Sequence, residues 1–580
     1  MKINRCVYIL ITLLLVSCNF QGSSLNSSSS RVSIHDIQGC AHISPMEGES
    51  VSGVKGIVTW KVENGFFMQD PLPDDQDCSS EGIFVFTDSY PDVIPGDEVS
   101  VEGVVSEFIS GGEPDKNLSV TEIEAKNVQL IAEHSPLPAA IVLGEGGRIP
   151  PVNIIEDDEM SVFDPETDGL DFYESLEGMR VEILTAIVVQ AKNSYGEIFV
   201  IPSDFSDQNI ISAEGALIQT ESDNNPERIL VDIPSTYKKK IQVGDRINEP
   251  IIGIMDYEYG NYRVLEINFL QLNSMNRKKQ ETVKAAKDGT LRIATYNVNN
   301  YNRFNEDKLN ELADQFENDL GLPDILVLQE VQDDSALDDD GTISAEKNIK
   351  SLIGVLFDNY DVLYHYVDPV VENNSSGGAQ GGNIRTVILY RNDRGLERVR
   401  IENDQYLGDV NEFSNSRIPT IVKFKFYSEY LYIVGVHLVS NNLNTPLFGH
   451  LQPPQKPEEE KRIKQAIWIG EVVDKISMSD SGVSVIVLGD FNDTPWSTTL
   501  LQLNSSGMCN TNFLIDKREA YSFIYEGNAS LFDQILVTSN LIDSIVMVQP
   551  IHINTWKQEK DQISDHDPIV IDIDLRNKGE

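Results

Sequence analysis

Six short clusters in the second half of the chain share one form: an apolar run whose end presents an acid, an amide or a histidine. Residues 291–298 lead to Asn297, and residues 323–331 deliver Gln329 and Glu330. Residues 434–438 deliver His437, and residues 485–495 run into Gly489-Asp490-Phe491-Asn492. Asp533 enters an apolar run at 531–537, and Ser564-Asp565-His566-Asp567 precedes the last one. Strand ends are where a packed scaffold leaves side chains exposed in a common cleft. Carboxylates and amides suit hard cations such as Mg²⁺ and Mn²⁺, which prefer oxygen ligands. In Gly-Asp-x-Asn the two-residue period of an extended chain puts Asp490 and Asn492 on one side. Taken singly, Asn297 reads as a turn residue, Glu330 as a surface acid and His437 as a hydrogen-bonded surface histidine. Their order along the chain is what carries weight.

That ordered series, Asn297, Gln329-Glu330, His437, Gly489-Asp490-x-Asn492, Asp533 and Ser564-Asp565-His566, resembles the deoxyribonuclease-I-like endonuclease/exonuclease/phosphatase superfamily. The resemblance covers nearly all of the chain beyond residue 289 and implies a role for each residue. Glu330 is similar to the principal metal ligand, with Asn297 and Asp565 assisting. His566 resembles the imidazole opposite the scissile phosphate, oriented by Asp533, because a carboxylate on one ring nitrogen selects the tautomer and stabilises the imidazolium. His437 resembles the second active-site histidine. Asp490 is expected to orient or deprotonate the attacking water and Asn492 to hold a phosphoryl oxygen; whether Asp490 or His566 is the base stays open. A divalent cation is implied, Mg²⁺ first and Mn²⁺ or Ca²⁺ as alternatives, supplying Lewis-acid stabilisation.

Two arginines are expected to grip phosphate. Arg417, in Asn415-Ser416-Arg417-Ile418-Pro419, looks like the family's arginine ahead of a strand, and Arg385, after Gly381-Gly382-Asn383-Ile384, resembles that of bacterial extracellular nucleases. The planar guanidinium fork suits bidentate binding of phosphate. One place departs from the pancreatic-type pattern, in which a Tyr and an acid precede this strand; here Gly382 and Ile384 stand there, which leaves the orienting partner of His437 open.

The elements that must hold these residues alternate strand-like and helix-like stretches. Residues 291–298, 325–329, 385–390, 421–427, 431–437 and 483–488 read as strands, and 308–318, 345–357 and 458–476 as helices. Such a mixture fits an α/β (α+β) sandwich of two packed sheets flanked by helices, in four layers, over residues 289–580. Ahead of it, residues 34–135 hold short strands broken by Gly, Pro and Asp, which point to a small closed β-barrel of the OB type. The runs at 65–71 and 80–85 resemble the OB-like module that precedes the nuclease domain in bacterial extracellular nucleases. Residues 136–272 repeat the scheme loosely and read as a second β module, possibly OB-like in kind, and 273–288 as a polar, lysine-containing linker. Phe66, Phe67 and Trp60 have the chemistry to stack bases, although aromatic residues in short strands are more often core. Every chemical candidate lies beyond Leu291, so the β modules are expected to serve substrate capture or spacing.

The N-terminus reads as export. Lys2 and Arg5 precede an apolar run too short to span a bilayer. Leu15-Val16-Ser17-Cys18 resembles the lipobox of bacterial lipoproteins, which implies that residues 1–18 are a signal and that Cys18 is lipidated. Residues 19–33 form a Ser-rich tether. Of five cysteines, Cys40 and Cys78 share one module in a compartment that permits disulfides and are expected to pair. Cys509 reads as a buried thiol, and no Cys/His grouping points to zinc. The expected location is a bacterial membrane or cell surface through the lipid anchor, or the medium.

A chain of 580 residues implies about three or four domains. Its formal charge of −47, from 45 Lys and Arg against 92 Asp and Glu, excludes a protein that holds nucleic acid by a broad basic face. Bound cations can invert the field at a site, so a metal-dependent nuclease acting on DNA or RNA remains the leading expectation. A sphingomyelinase-like or inositol-phosphatase-like enzyme on the same fold is the first alternative, and an inert surface-binding lipoprotein the second. No protein partner is implied.

Overall fold

A computed structural model describes residues 32–74, 76–109, 116–207, 210–234, 237–266, 272–275, 283–401 and 410–576. The signal, Cys18 and nearly all of the tether lie outside the described residues. Among the described residues no helix is long and apolar enough to cross a membrane.

The first module is a closed five-stranded barrel with the order Ser50–Val62, Gly65–Gln69, Gly82–Phe86, Val120–Ala132, Glu98–Phe108. Its interior is apolar, with Val54, Val58, Phe66, Met68, Val99 and Val101 fully enclosed. Phe66 and Phe67 are therefore core side chains and not a stacking platform. Cys40 and Cys78 are bonded, with Cα atoms 5.1 Å apart, and fasten the segment ahead of the barrel to the loop before Gly82–Phe86.

The second module departs from the expected repeat. Its strands join one nine-stranded sheet rather than a second closed barrel. The reason lies in pairing: Ile229–Asp232 runs parallel to Asn261–Glu266, and short strands at Ile141–Val142 and Leu272–Asn273 extend the two edges. The linker is likewise shorter than its composition implies. Leu272–Asn273 belongs to the sheet. Beyond the undescribed 276–282, Lys284 O accepts from Arg292 Nη1 at 2.6 Å and Lys287 O from Arg394 Nη2 at 2.9 Å, so its end is fastened to the third domain.

The third domain holds two six-stranded sheets built alike. In each, a parallel pair sits inside: Thr290–Tyr301 with Ile325–Val331, and Glu429–His437 with Ser484–Asp490. These strands are covered on both sides and are accordingly near-continuous apolar runs, every residue of Ser484–Asp490 being buried. Thr420–Phe426, nearer an edge, alternates buried and partly exposed residues. Ile293, Val327, Ile388, Phe424, Ile486 and Ile571 bring the two sheets into one core. Outside the first sheet lie helices Glu306–Asn318 and Glu346–Tyr360, which contribute Leu312, Phe316, Leu352 and Leu356. Outside the second lie Glu459–Ser479 and Thr498–Ser505. The long helix buries Gln465, Ala466, Ile469, Val472, Val473 and Ile476, the spacing of one helical stripe.

Two excursions of this domain grip the second module. Phe448 enters that module's core, and Tyr257 OH donates to Phe448 O at 2.8 Å. The hairpin of Phe523–Tyr525 and Asn528–Ser530 meets the module through Gly527 N donating to Gln190 Oε1 at 2.7 Å and Asn225 Nδ2 to Asn528 Oδ1 at 2.7 Å.

Candidate active site

The parallel pairs end at a common edge, and register decides what they deliver. Asn297 pairs opposite Gln329, His437 opposite Asp490, and Asp490 opposite Asp533. Glu330 leaves the ladder at an irregularity between Leu328 and Val331 and takes φ 61°, left-handed for a residue with a Cβ. Such a conformation costs roughly 1–3 kcal/mol and persists where the surroundings impose it. Gly489 is required by close approach: a Cβ there would lie 1.9 Å from Val436 O on the neighbouring strand. Asn492 also sits at positive φ, 50°, and its backbone N–H donates to Asp490 Oδ1 at 2.8 Å, an Asx-type turn that fixes Gly-Asp-x-Asn.

His566 and Asp533 form a close pair, Nδ1 to Oδ2 at 2.6 Å, with both residues buried. The opposite nitrogen, Nε2, faces Asp490 Oδ2 at 3.9 Å. Burial disfavours the imidazolium, but the carboxylates of Asp533 and Asp490 outweigh it and hold the His566 pKa well above the usual histidine value. Burial pushes the Asp490 carboxyl up to about 6, with His566 pulling the other way. His437 behaves oppositely. Burial, and then the charges of Arg417 and His566, hold its pKa well below the usual value, so it is a neutral imidazole. Its Nε2 lies 3.5 Å from Asp490 Oδ2 and 3.9 Å from Glu330 Oε1, too far for strong hydrogen bonds. Its Nδ1 has no hydrogen-bond partner among the described residues, in keeping with the missing acid at Ile384.

Three acids face one region. Burial raises the Glu330 pKa, and Asp565 and Asp490 add to it. This convergence of oxygen donors fits a divalent cation, which Glu330 and the exposed Asp565 would hold. Asn297 also has a structural task. Its Oδ1 accepts from Asn299 N at 3.0 Å, while its Nδ2 donates to Asp490 Oδ2 at 3.0 Å and Glu330 Oε1 at 3.2 Å. As placed, it bridges the two carboxylates, and its Oδ1 keeps a second lone pair for a cation.

The two arginines separate. Arg417 is buried beside the site; its Nη2 donates to Leu438 O and its Nε meets no acceptor among the described residues. Burial lowers its pKa to about 10, with Glu330 and Asp490 opposing. Arg385 is not available for phosphate. Its Nε and Nη2 donate to Asn383 O at 3.1 and 2.8 Å, its Nη1 donates to Ile343 O at 2.6 Å, and Asp368 lies 3.4 Å away. The turn before the strand and the segment ahead of helix Glu346–Tyr360 present the carbonyls that consume the guanidinium.

Two residues escaped the sequence reading. Lys308 Nζ donates to Asn299 O at 2.6 Å; burial lowers its pKa to about 8, against the pull of Asp565 and Glu330. Its helical periodicity is that of a surface lysine, so only tertiary contact reveals it. Phe523, on the docked hairpin, packs against the His566 ring with centroids 4.8 Å apart, and no motif marks it. Asp567, by contrast, faces away from the site. It accepts from Ile553 N, Asn554 N and Thr555 Oγ1 and so ties down the 552–555 loop.

A histidine held by a buried aspartate thus meets acids and an arginine at the shared edge of two sheets. Residues 294–566 match the Endonuclease/Exonuclease/phosphatase family, and the third domain is a member of it. Members of that family are hydrolases of phosphoester bonds and typically use divalent metals. Residues 142–274 match a domain of unknown function (DUF8508). Among solved structures, the endonuclease/exonuclease/phosphatase from Bacteroides vulgatus is 17% identical, over 49% of this chain and 98% of that one, with TM-score 0.34. The family protein from Leptotrichia buccalis is 17% identical over 49% and 99%, with TM-score 0.34. The human nocturnin catalytic domain with bound sulfate is 15% identical over 50% and 95%, with TM-score 0.34. No curated protein matches.

Proposed function

We propose that the third domain is a metal-dependent nuclease that hydrolyses phosphodiester bonds of DNA or RNA outside the cytoplasm. The observation that carries this reading is the His566–Asp533 pair at 2.6 Å, with Nε2 of the imidazole turned toward Asp490. Asp533 selects the tautomer and stabilises positive charge on His566, which then donates to the phosphoryl oxygen. Asp490 orients the attacking water and receives its proton. Arg417 holds a phosphoryl oxygen, Asn492 does so once its Nδ2 exchanges Leu438 O (3.2 Å) or Asp490 Oδ2 (3.3 Å) for phosphate, and Asn297 keeps Glu330 and Asp490 at a fixed separation. A bound divalent cation, Mg²⁺ by preference, supplies Lewis-acid stabilisation of the transition-state charge.

The layers described above are read as the family's four-layer sandwich, and the N-terminal barrel as OB-like; a five-stranded closed barrel supports the latter. The Cys40–Cys78 bond supports an oxidising compartment, and Leu15-Val16-Ser17-Cys18 a lipid anchor there. The formal charge of −47 favours a second reading, a smaller or lipid phosphoester as substrate. Plasmid DNA incubated with Mg²⁺, with EDTA, and beside a choline phosphoester separates the two. Metal-dependent DNA cleavage is expected; turnover of the choline phosphoester with intact plasmid overturns the nuclease.

A further inference from the structure

The second module holds a group of acids that phosphoester hydrolysis does not use. Residues 156–168 contain seven acids and no lysine or arginine, and they wrap the buried helix Gly169–Glu174. Glu156, Asp168 and Asp171 each bring one carboxylate oxygen to within 4.8 Å of the others. Asp168 is 1% exposed and Asp171 0%.

The hydrogen bonding around them is incomplete in a specific way. Asp168 Oδ2 accepts from Asp157 N at 3.2 Å, and Glu156 Oε1 from Asp158 N at 2.8 Å and Met160 N at 3.1 Å. Asp168 Oδ1, Glu156 Oε2 and Asp164 Oδ1 are sealed from solvent, yet none meets a donor among the described residues. Both oxygens of Asp171 already accept, Oδ1 from His42 Nε2 at 2.6 Å and Oδ2 from Asp164 N at 2.7 Å. His42 is itself held as an imidazolium: burial lowers its pKa, but Asp171 and Glu174 overcome this and raise it to about 9. It is thus a counter-charge and not a ligand. One such charge does not balance Glu156, Asp164, Asp168 and Asp171, and burial together with the neighbouring acids pushes Asp168 up to about 6. Buried carboxylates are paired, protonated or bound to metal.

We propose that Glu156, Asp168 and Asp171, with Asp164 beside them, form a structural Ca²⁺ site that fastens residues 156–168 to the helix Gly169–Glu174. All-oxygen donors select a hard cation. Calcium accepts six to eight oxygens at about 2.3–2.6 Å in flexible geometry, which suits an irregular set of acids, whereas Mg²⁺ demands a near-ideal octahedron and keeps several waters. Asp171 can still ligate, since each carboxylate oxygen has a second lone pair. The helix it stabilises is part of the frame under the third domain: Tyr173 meets Phe448 edge-on at 5.8 Å, and Glu174 accepts from Tyr262 OH at 2.6 Å. The site is independent of the nuclease reading and is expected to affect stability first.

The test is calorimetric titration of the EDTA-stripped full-length protein with CaCl₂, with thermal unfolding in CaCl₂ and in MgCl₂. Calcium is expected to raise Tm and to protect residues 156–168 from proteolysis, and both effects should persist in Glu330→Gln, which weakens only the catalytic cation. Asp168→Asn and Glu156→Gln should weaken calcium binding more than about tenfold, since even removing a ligand's supporting partner costs 10–100-fold. If these variants fail to fold, Asp164→Asn, less buried, should show the same loss. The proposal is overturned if calcium raises Tm equally in the folded variants, if the effect disappears in Glu330→Gln, or if MgCl₂ reproduces it. It is also overturned if calcium does not bind and stability instead rises as pH falls through about 6, which would assign a proton shared by Glu156 and Asp168.

Discussion

His566 Nδ1 lies 2.6 Å from Asp533 Oδ2, and Asp533 is itself held in place by its backbone N–H, which donates to Ser522 Oγ at 3.0 Å. The imidazole is therefore held in one orientation, with Nε2 turned toward Asp490. Asp533→Asn keeps the shape and removes the charge that favours imidazolium. It is expected to lower kcat on the order of 10²–10⁴-fold with little change in KM, the usual weight of an acid–base group. An unchanged kcat, measured on plasmid or an activated phosphodiester, would contradict the pairing's role.

Glu330 and His566 should fail in different ways. Glu330→Gln weakens the cation's ligand, so activity falls and partly recovers at high Mg²⁺ or Mn²⁺. His566→Ala removes a group acting on the phosphate, so no metal concentration restores it. Metal titration of both variants checks this, and rescue of His566→Ala but not of Glu330→Gln would reverse the two roles.

The arginines should separate as their contacts do. Arg417→Lys loses the planar fork beside Asp490 and Glu330 and should reduce kcat/KM in a well-folded protein. Arg385→Met abandons the carbonyls of Asn383 and Ile343 and should cost about 1.5–3 kcal/mol of stability, with kcat of the folded fraction retained. Unfolding curves alongside kinetics decide between them.

Truncation to residues 287–580 is expected to impair turnover, contrary to a purely capturing role for the β modules. It strips the hairpin around Gly527 and Asn528 of its partners Gln190 and Asn225 and releases Phe523 from its fixed place on His566. A misplacement of about 1 Å can cost on the order of 10²-fold. Phe523→Ala in the full chain should show part of the same kcat loss. Unimpaired kcat in a folded truncation would show that the hairpin holds itself.

Stability should decline on the alkaline side. His552 is buried between Asp567 and Glu519 and stacks on Tyr521 with centroids 3.7 Å apart. Burial lowers its pKa, but the two carboxylates raise it from 6.5 to about 9. Its contribution is fully present below pH 6.5 and is lost as pH rises through about 9, on the order of 3 kcal/mol. His42, raised likewise, acts in the same window. Denaturant unfolding between pH 6 and 10 should show the decline, and His552→Gln should flatten part of it.

The elements, and the strand ends that gather at the candidate site, were legible because local pattern dictates them. Apolar runs ending in Asn297, Glu330, His437 and Asp490 are buried parallel strands, and such strands must surface at their ends. The helices begin within about two residues of the expected positions because their stripes and caps are local, as with Asn305 accepting from Lys308 N. The barrel in residues 34–135 was readable from its turn residues for the same reason.

What chain order could not carry is which atoms of a residue face which neighbour. Arg385 has the chemistry of a phosphate grip, but the carbonyls of Asn383 and Ile343 consume its donors first. Lys308 and Phe523 join the site only because a helix and a hairpin, each unremarkable in sequence, are folded against it. The nine-stranded sheet likewise depends on the parallel pairing of Ile229–Asp232 with Asn261–Glu266, between strands distant in the chain. By itself the sequence determined the strand ends and the chemistry they bear, since periodicity and residue type are local properties. Only the tertiary structure decided which of those groups are free to act, because hydrogen-bond competition is settled among residues that meet in space.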